Sequence, residues 1–252
     1  RALDYLEEEQ RRGITMKSTN ISIYYEKALE GSKPFLINLV DTPGHLDFSG
    51  KVTRALRLID GVVVVVDAVE EVISQSETVI KQALEEGVKP ILYINKVDRL
   101  IRELKLTDEN IRKKYTRIIN DFNRLVERHA DPPFNEEWKV SPADQNVAFG
   151  SALHKWGFTL KMLEGSKLKF KDIRKRYKKE TYQEREYEDL PVYFPISQAI
   201  LSMVVEHLPS PVQAQEYKIK KIWDGQPSSS VGQAMIRCDP DGPLVICLSK
   251  VQ

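Results

Sequence analysis

Polar and apolar positions alternate along TNISIYYE, residues 19 to 26, and place Ile21, Ile23 and Tyr25 on one side. A period of two predicts a strand with one covered face. Three later runs do not alternate: FLINLVD at 35–41, GVVVVVD at 61–67 and PILYIN at 90–95. Near-continuous apolar runs of this length predict strands buried on both faces of a parallel sheet. Helical spacing fills the gaps between and after them. SQSE at 74–77 has the form of a capping box, in which the Ser74 hydroxyl takes a helix N–H and Glu77 reaches back. Val79, Ile80, Ala83 and Leu84 then form a stripe that Gly87 stops. After Thr107, the residues Ile111, Tyr115, Ile118, Ile119, Phe122, Leu125 and Val126 recur at helical spacing and predict an amphipathic helix of about five turns.

Strand, helix, strand, helix predicts an α/β fold with a doubly wound, mostly parallel sheet. Such sheets bind ligands beyond the carboxyl ends of their strands, and Asp41, Asp67 and Asn95 all stand at such ends. The character changes after residue 155. Residues 161–185 carry ten Lys/Arg and four Asp/Glu, so they read as a small inserted subdomain or a solvated helix. PVYFPISQAILSMVVEHL, from 191, restores a helical apolar pattern, and LPSP at 208–211 breaks it. PLVICLSKV near the end predicts a strand that opens a further β domain. The expected partition is a first domain over 1–155, an insert over 156–190, a return to the first domain over 191–215, and a linker with the start of a β domain over 216–252.

Composition narrows the picture only slightly. A net charge of +1 over 252 residues gives bulk charge no pull toward nucleic acid or a membrane surface. The only cysteines, Cys238 and Cys247, exclude a disulfide framework and are expected as reduced thiols in strands. No apolar run approaches the roughly 18 residues of a membrane helix. No signal-peptide pattern precedes the first element, so the expected compartment is the cytoplasm. The chain opens with Arg1 inside a helix-like pattern and stops at SKVQ, which reads as a piece of a longer protein.

The candidate chemistry lies in four short stretches in fixed order: RGITM (12–16), DTPGH (41–45), NKVD (95–98) and GSAL (150–153). Together they resemble the translational GTPase superfamily. EEEQRRGITM, LVDTPGHLDFSGKVTRALR, VVVVVDAVE, PILYINKVDRLI, VAFGSALHKWGFTL and HLPSPVQAQEY are similar, more closely, to the elongation factor two family of ribosomal translocases. The short insertion after residue 155 brings the archaeal form nearest. The resemblance implies a P-loop GTPase fold followed by a β-barrel domain. It also implies a cytoplasmic monomer that hydrolyses GTP to GDP on the ribosome with Mg²⁺ and meets ribosomal RNA and stalk proteins. The basic insert would face ribosomal RNA or an acidic ribosomal protein.

A guanine site needs a carboxylate to accept two adjacent N–H groups, and Asp98 is the residue for it. Asn95 and Lys96 would brace the loop, with the Lys stem over the purine. In GSAL, comprising Ser151, Ala152 and Leu153, the N–H groups of Ser151 and Ala152 would meet the guanine oxygen, a role for which PISQA at 195–199 is a weaker competitor. Thr15 and Asp41 would hold Mg²⁺, Thr15 also touching the γ-phosphate, because the ion prefers oxygen donors and keeps several waters. Gly44, lacking a Cβ, lets its N–H approach the γ-phosphate. His45 would then orient the attacking water.

The P-loop signature is absent: GHLDFSGKV at 44–52 spaces its glycines one residue too far apart and puts Val52 where a hydroxyl must stand. That cradle is expected upstream of Arg1, and this chain is expected to be inactive by itself. Two relatives of the same motifs remain as alternatives, a bacterial-type translocase and a spliceosomal scaffold GTPase. Against the former, only 52 residues separate Asp98 from Ser151, and the insert follows GSAL rather than preceding it.

On this reading, His45→Ala in the complete protein leaves GTP affinity nearly intact. It slows single-turnover hydrolysis on saturating ribosomes by roughly 10²- to 10⁴-fold, the usual contribution of a positioned proton-handling or water-orienting group. Full single-turnover activity in the variant would return His45 to a structural role.

Overall fold

The computed structural model describes residues 7–12, 15, 18–26, 33–43, 49–178 and 186–247. After a short helix α1 (Glu7–Arg12) come strands β1 (Thr19–Tyr25) and β2 (Phe35–Asp41). Helix α2 (Ser49–Leu56), strand β3 (Gly61–Asp67), helix α3 (Ser74–Glu85) and strand β4 (Lys89–Asn95) follow. Helices α4 (Val97–Arg102), α5 (Asp108–His129) and α6 (Phe134–Glu137) precede strands β5 (Val147–Ser151) and β6 (Trp156–Thr159). The rest is helical: α7 (Leu160–Gly165), α8 (Phe170–Lys178), a 3₁₀ turn at Glu186–Asp189, α9 (Leu190–Tyr193), α10 (Ile196–His207), α11 (Pro211–Ile222) and α12 (Ser230–Arg237). Two compact units result, one of residues 1–62, 78–89 and 209–252, the other of residues 63–77 and 90–208.

In the second unit β3, β4, β5 and β6 lie in that order in a four-stranded sheet. β4 and β5 run parallel, with Leu92 opposite Val147. β5 and β6 run antiparallel, with Gly150 opposite Gly157. The run PILYIN is buried throughout except at Asn95, as its unbroken apolarity predicts. Ile91 and Tyr93 of β4 and Ala148 of β5 pack with Ala199 and Met203 of α10. Phe149 points the other way, and its ring lies 4.5 Å from that of Tyr115 on α5. Helices thus cover both faces, the arrangement expected of a doubly wound α/β sheet. The α5 stripe buries Ile111, Ile118, Phe122 and Val126, and Thr107 caps its start by accepting from the Asn110 N–H.

In the first unit, α2 contributes Val52 and Leu56 to a core shared with Ala83 of α3 and Val88. Helix α3 ends where the sequence predicts. Gly87 has φ +67°, its N–H bonds the Leu84 carbonyl, and the Val88 N–H bonds that of Ala83. These are the paired bonds of a Schellman stop. Lys218 of α11, 3 % exposed, donates its ammonium to the carbonyls of Leu56 and Ile59, at the carboxyl end of α2. Burial pulls that ammonium below the ordinary lysine range, against the pull of Asp60 and Glu86.

Several expectations are corrected. FLINLVD does not join a parallel sheet: β2 pairs antiparallel with β1 in a separate two-stranded sheet, from Thr19 opposite Asp41 to Tyr25 opposite Phe35. The nine residues 26–34 suffice for an antiparallel turn but are fewer than the dozen or so a parallel crossover needs. Leu36 is accordingly 71 % exposed rather than buried. On β3 only Val64 and Val66 are buried, because β3 is the sheet's edge. Trp156–Thr159, expected to open the insert, complete the sheet instead, because residues 152–155 make a tight turn with Lys155 at φ 59°. Residues 243–247 carry no strand, and Cys238 sits at the left-handed cap of α12 rather than in a strand. Arg174 and Arg176 of the basic stretch are engaged, Arg174 by Asp108 and the Leu106 carbonyl, Arg176 by Asp189. Among the described residues no helix is long and apolar enough to cross a membrane.

A Cβ at Gly150 would lie 2.2 Å from the Trp156 carbonyl oxygen and 2.7 Å from the Tyr93 hydroxyl. The obstructing atom is backbone held by the ladder, so it cannot yield cheaply. Gly150→Ala is expected to destabilise the protein by about 3 kcal/mol, the upper range for overpacking. An unchanged urea midpoint would refute this packing.

Candidate functional site

The second unit gathers six of the predicted motif residues, Asn95, Lys96, Asp98, Ser151, Ala152 and Leu153, at or just beyond the carboxyl ends of its strands. Asn95 ends β4, and its Oδ1 accepts two backbone N–H groups, that of Lys96 at 2.8 Å and that of Ala152 at 2.9 Å. One side chain therefore ties the NKVD loop to the GSAL turn. Lys96 takes the left-handed conformation, φ 61° and ψ 32°, and starts α4. Its ammonium lies 2.6 Å from Asp67 Oδ2 at the end of β3. Asp67 Oδ1 accepts from the Val69 N–H at 2.7 Å. Burial would raise the Asp67 carboxyl, but the hydrogen bond and charge of Lys96, with the N–H groups of Val69 and Glu70, outweigh it and hold the group below its ordinary range. Sequence reasoning noted Asp67 only as a strand-end acid and missed it as the anchor of Lys96. An acid closing VVVVVD beside a strand that ends in NK was the available signal.

Asp98 is 4 % exposed and makes no hydrogen bond to the described residues. His154 Nδ1 stands 4.0 Å from its Oδ2. The buried Tyr93 hydroxyl also has no hydrogen-bond partner among the described residues. Burial, and next the Asp98 charge, push that phenol well above its ordinary range. A buried carboxylate without protein donors is costly unless a partner or water supplies them. Ser151 is fully buried, and its hydroxyl accepts from the His154 N–H at 3.3 Å. Leu153 is 77 % exposed and turned to solvent. The Ala152 N–H, expected to face a ligand oxygen, is held by Asn95 here.

In the first unit, Asp41 closes β2 and is half-buried, followed by Thr42 and buried Pro43. Thr19, the first residue of β1, lies opposite Asp41. Thr15, four residues before Thr19, is half-buried. A hydroxyl and a carboxylate are the hard oxygen donors that Mg²⁺ takes together with water, so this donor set fits that ion. Gly44 and His45 lie outside the described residues.

Comparison with known proteins gives the family. Residues 1–210 match the family described as Elongation factor Tu GTP binding domain. The chain belongs to this family. Elongation factor 2 of Pyrobaculum aerophilum is 49 % identical over 250 residues, 99 % of this chain and 33 % of that protein. Elongation factor 2 of Aeropyrum pernix is 50 % identical over 250 residues with the same shares. That of Korarchaeum cryptofilum is 50 % identical over 252 residues, all of this chain and 33 % of that protein. The chain thus spans one third of the length of these relatives. A bacterial selenocysteine-specific elongation factor, EF-Sec, overlaps 60 % of this chain and 22 % of its own at TM-score 0.45 and 20 % identity, too slight a likeness to carry an argument. Membership of the Elongation factor Tu GTP binding domain family implies guanine-nucleotide binding, in keeping with the buried acceptor at Asp98.

The depressed Asp67 carboxyl adds stability above its ordinary value of 3.8 and loses it as pH falls through the lower folded value. Lys96 is half exposed, so screening limits the gain to about 1 kcal/mol. Asp67→Asn is expected to lower stability by that amount near neutrality and by progressively less below pH 3.8. Urea unfolding of both proteins between pH 2 and 7 measures the difference, and a gap that widens in acid would contradict the assignment.

Proposed function

We propose that this chain is the nucleotide-handling part of a ribosomal translocase that hydrolyses GTP to GDP and phosphate and couples the step to movement of tRNA and mRNA. The observation that carries the reading is Asp98: a buried carboxylate without a hydrogen-bond donor among the described residues, set behind the Asn95 bridge. Guanine presents two adjacent N–H groups that this acceptor would satisfy. The half-identity to archaeal proteins named elongation factor 2 supports the translational assignment.

In this reading Asp98 accepts both N–H groups of the base, and the Lys96 stem, pinned by Asp67, lies along the purine face. Asn95 releases or shares the Ala152 N–H so that it meets the guanine oxygen beside Ser151 and Leu153. Thr15 and Asp41 would hold Mg²⁺, which would supply positive charge against the phosphates. The Gly44 N–H meets the γ-phosphate, and His45 turns the attacking water into line with it. Little covalent help is needed, because phosphoryl transfer passes through a loose transition state. Loss of the γ-phosphate frees Thr15, and the loop it belongs to is the conformational signal. The remaining proposals are a monomer in the cytoplasm that meets the ribosomal stalk, and the partition into a GTPase domain over 1–155 and 191–215, an insert over 156–190 and the start of a β domain after 216.

Asp98→Asn in the complete protein presents a donor where guanine also donates. Two hydrogen bonds to a charged acceptor contribute about 1.5–3 kcal/mol each, so preference for GTP over XTP is expected to fall by 100-fold or more. XTP, with an oxygen at that ring position, becomes the better ligand. Competition binding with the two nucleotides is the assay, and an unchanged GTP preference would remove Asp98 from the base site.

A further inference from the structure

An unbonded carboxylate can rotate, yet recognition of two adjacent N–H groups needs both oxygens in one plane and at one angle. Something other than a hydrogen bond must therefore set the Asp98 rotamer. The Tyr93 and Tyr177 hydroxyls both feel its charge, and His154 stands against it, with Nδ1 4.0 Å from Asp98 Oδ2. The His154 ring is itself held on several sides. Its Nδ1 is 2.8 Å from the Tyr177 hydroxyl, and that hydroxyl accepts from Trp156 Nε1 at 2.7 Å. The Trp156 bond occupies one lone pair of the hydroxyl and directs the rest of its hydrogen-bonding capacity at His154. The Tyr187 ring packs 4.6 Å from the imidazole, and Tyr177 stacks on Tyr187 at 4.9 Å with 12° between planes. The Arg102 guanidinium covers Tyr187 at 5.6 Å.

These groups come from the turn after β5, from β6, from α8 and from the 3₁₀ turn at Glu186–Asp189. Tyr177 is only 4 % exposed and Tyr187 6 %. The cluster is as well packed as the core, although one member, Tyr177, lies in the stretch whose charge suggested a solvated insert.

We propose that Tyr177 and His154 are positioning residues for base recognition. The Tyr177 hydroxyl fixes the imidazole, and the imidazole fixes the Asp98 carboxylate in the orientation that accepts both N–H groups of guanine. The inference rests on the base-site reading of Asp98 and adds that purine specificity is supported from α8. Their proposed role is to position Asp98, not to bind the nucleotide.

Inosine diphosphate keeps the ring N–H of guanine and lacks the exocyclic amine. The ratio of IDP to GDP dissociation constants therefore reports the second hydrogen bond to Asp98, while a general loosening of the pocket weakens both ligands alike. The experiment measures both constants by competition binding to the complete protein, for wild type, Tyr177→Phe, His154→Ala and His154→Asn. Wild type is expected to favour GDP by roughly 10- to 100-fold, the worth of one hydrogen bond to a charged group. Tyr177→Phe and His154→Ala are expected to reduce that ratio at least fivefold, with His154→Asn, which keeps an amide near the Nδ1 position, retaining part of it. Equal weakening of both nucleotides, or a wild-type ratio in Tyr177→Phe, would overturn the proposal. A wild-type protein that does not distinguish IDP from GDP would instead overturn the base-site reading itself.

Discussion

A single acceptor atom, Asn95 Oδ1, joins the two loops on which the second unit's site is built. It takes the N–H of the next residue and the N–H of Ala152, fifty-seven positions away. The first bond fixes the exit of β4, and the second fixes the turn between β5 and β6 against it. Parallel pairing of β4 with β5 puts the two strand ends side by side. The amide then holds the two loops against each other. Lys96 pays the conformational cost of a left-handed backbone at this junction, and its ion pair with Asp67 helps offset it.

The same geometry explains why two glycines face each other across the β5–β6 ladder. The Gly150–Gly157 pair leaves room for the Tyr93 hydroxyl beneath the turn, where a methyl group would collide with backbone. Close approach here leaves Asp98 buried near a phenol that makes no hydrogen bond among the described residues. The proposed base contact rests on that deficit, because a ligand with adjacent donors would supply what the described residues do not.

Much of this was legible in the chain before the fold was known. The strand PILYIN, the long helix after Thr107, the stop at Gly87 and the motif residues at strand ends all follow from local rules that the structure obeys. The rest depends on which strand meets which. FLINLVD has the same apolar density as PILYIN, yet one pairs in an exposed hairpin and the other at the centre of a sheet. Apolarity measures the capacity for burial and does not name the partner. The Asp67–Lys96 pair and the His154–Tyr177 contact were hidden for a similar reason, since twenty-odd residues or more separate the members of each pair. In the basic stretch, charge counted along the chain concealed that Arg174, Arg176 and Tyr177 turn inward.

Lys218 lies beyond the residues that match the family, yet it grips the far end of a helix that follows directly from the DTPGH stretch. Its ammonium would have to leave two carbonyls and face an apolar core before α2 could slide lengthwise. Helix α2 is thus anchored at its carboxyl end, next to Leu56, by a residue of α11.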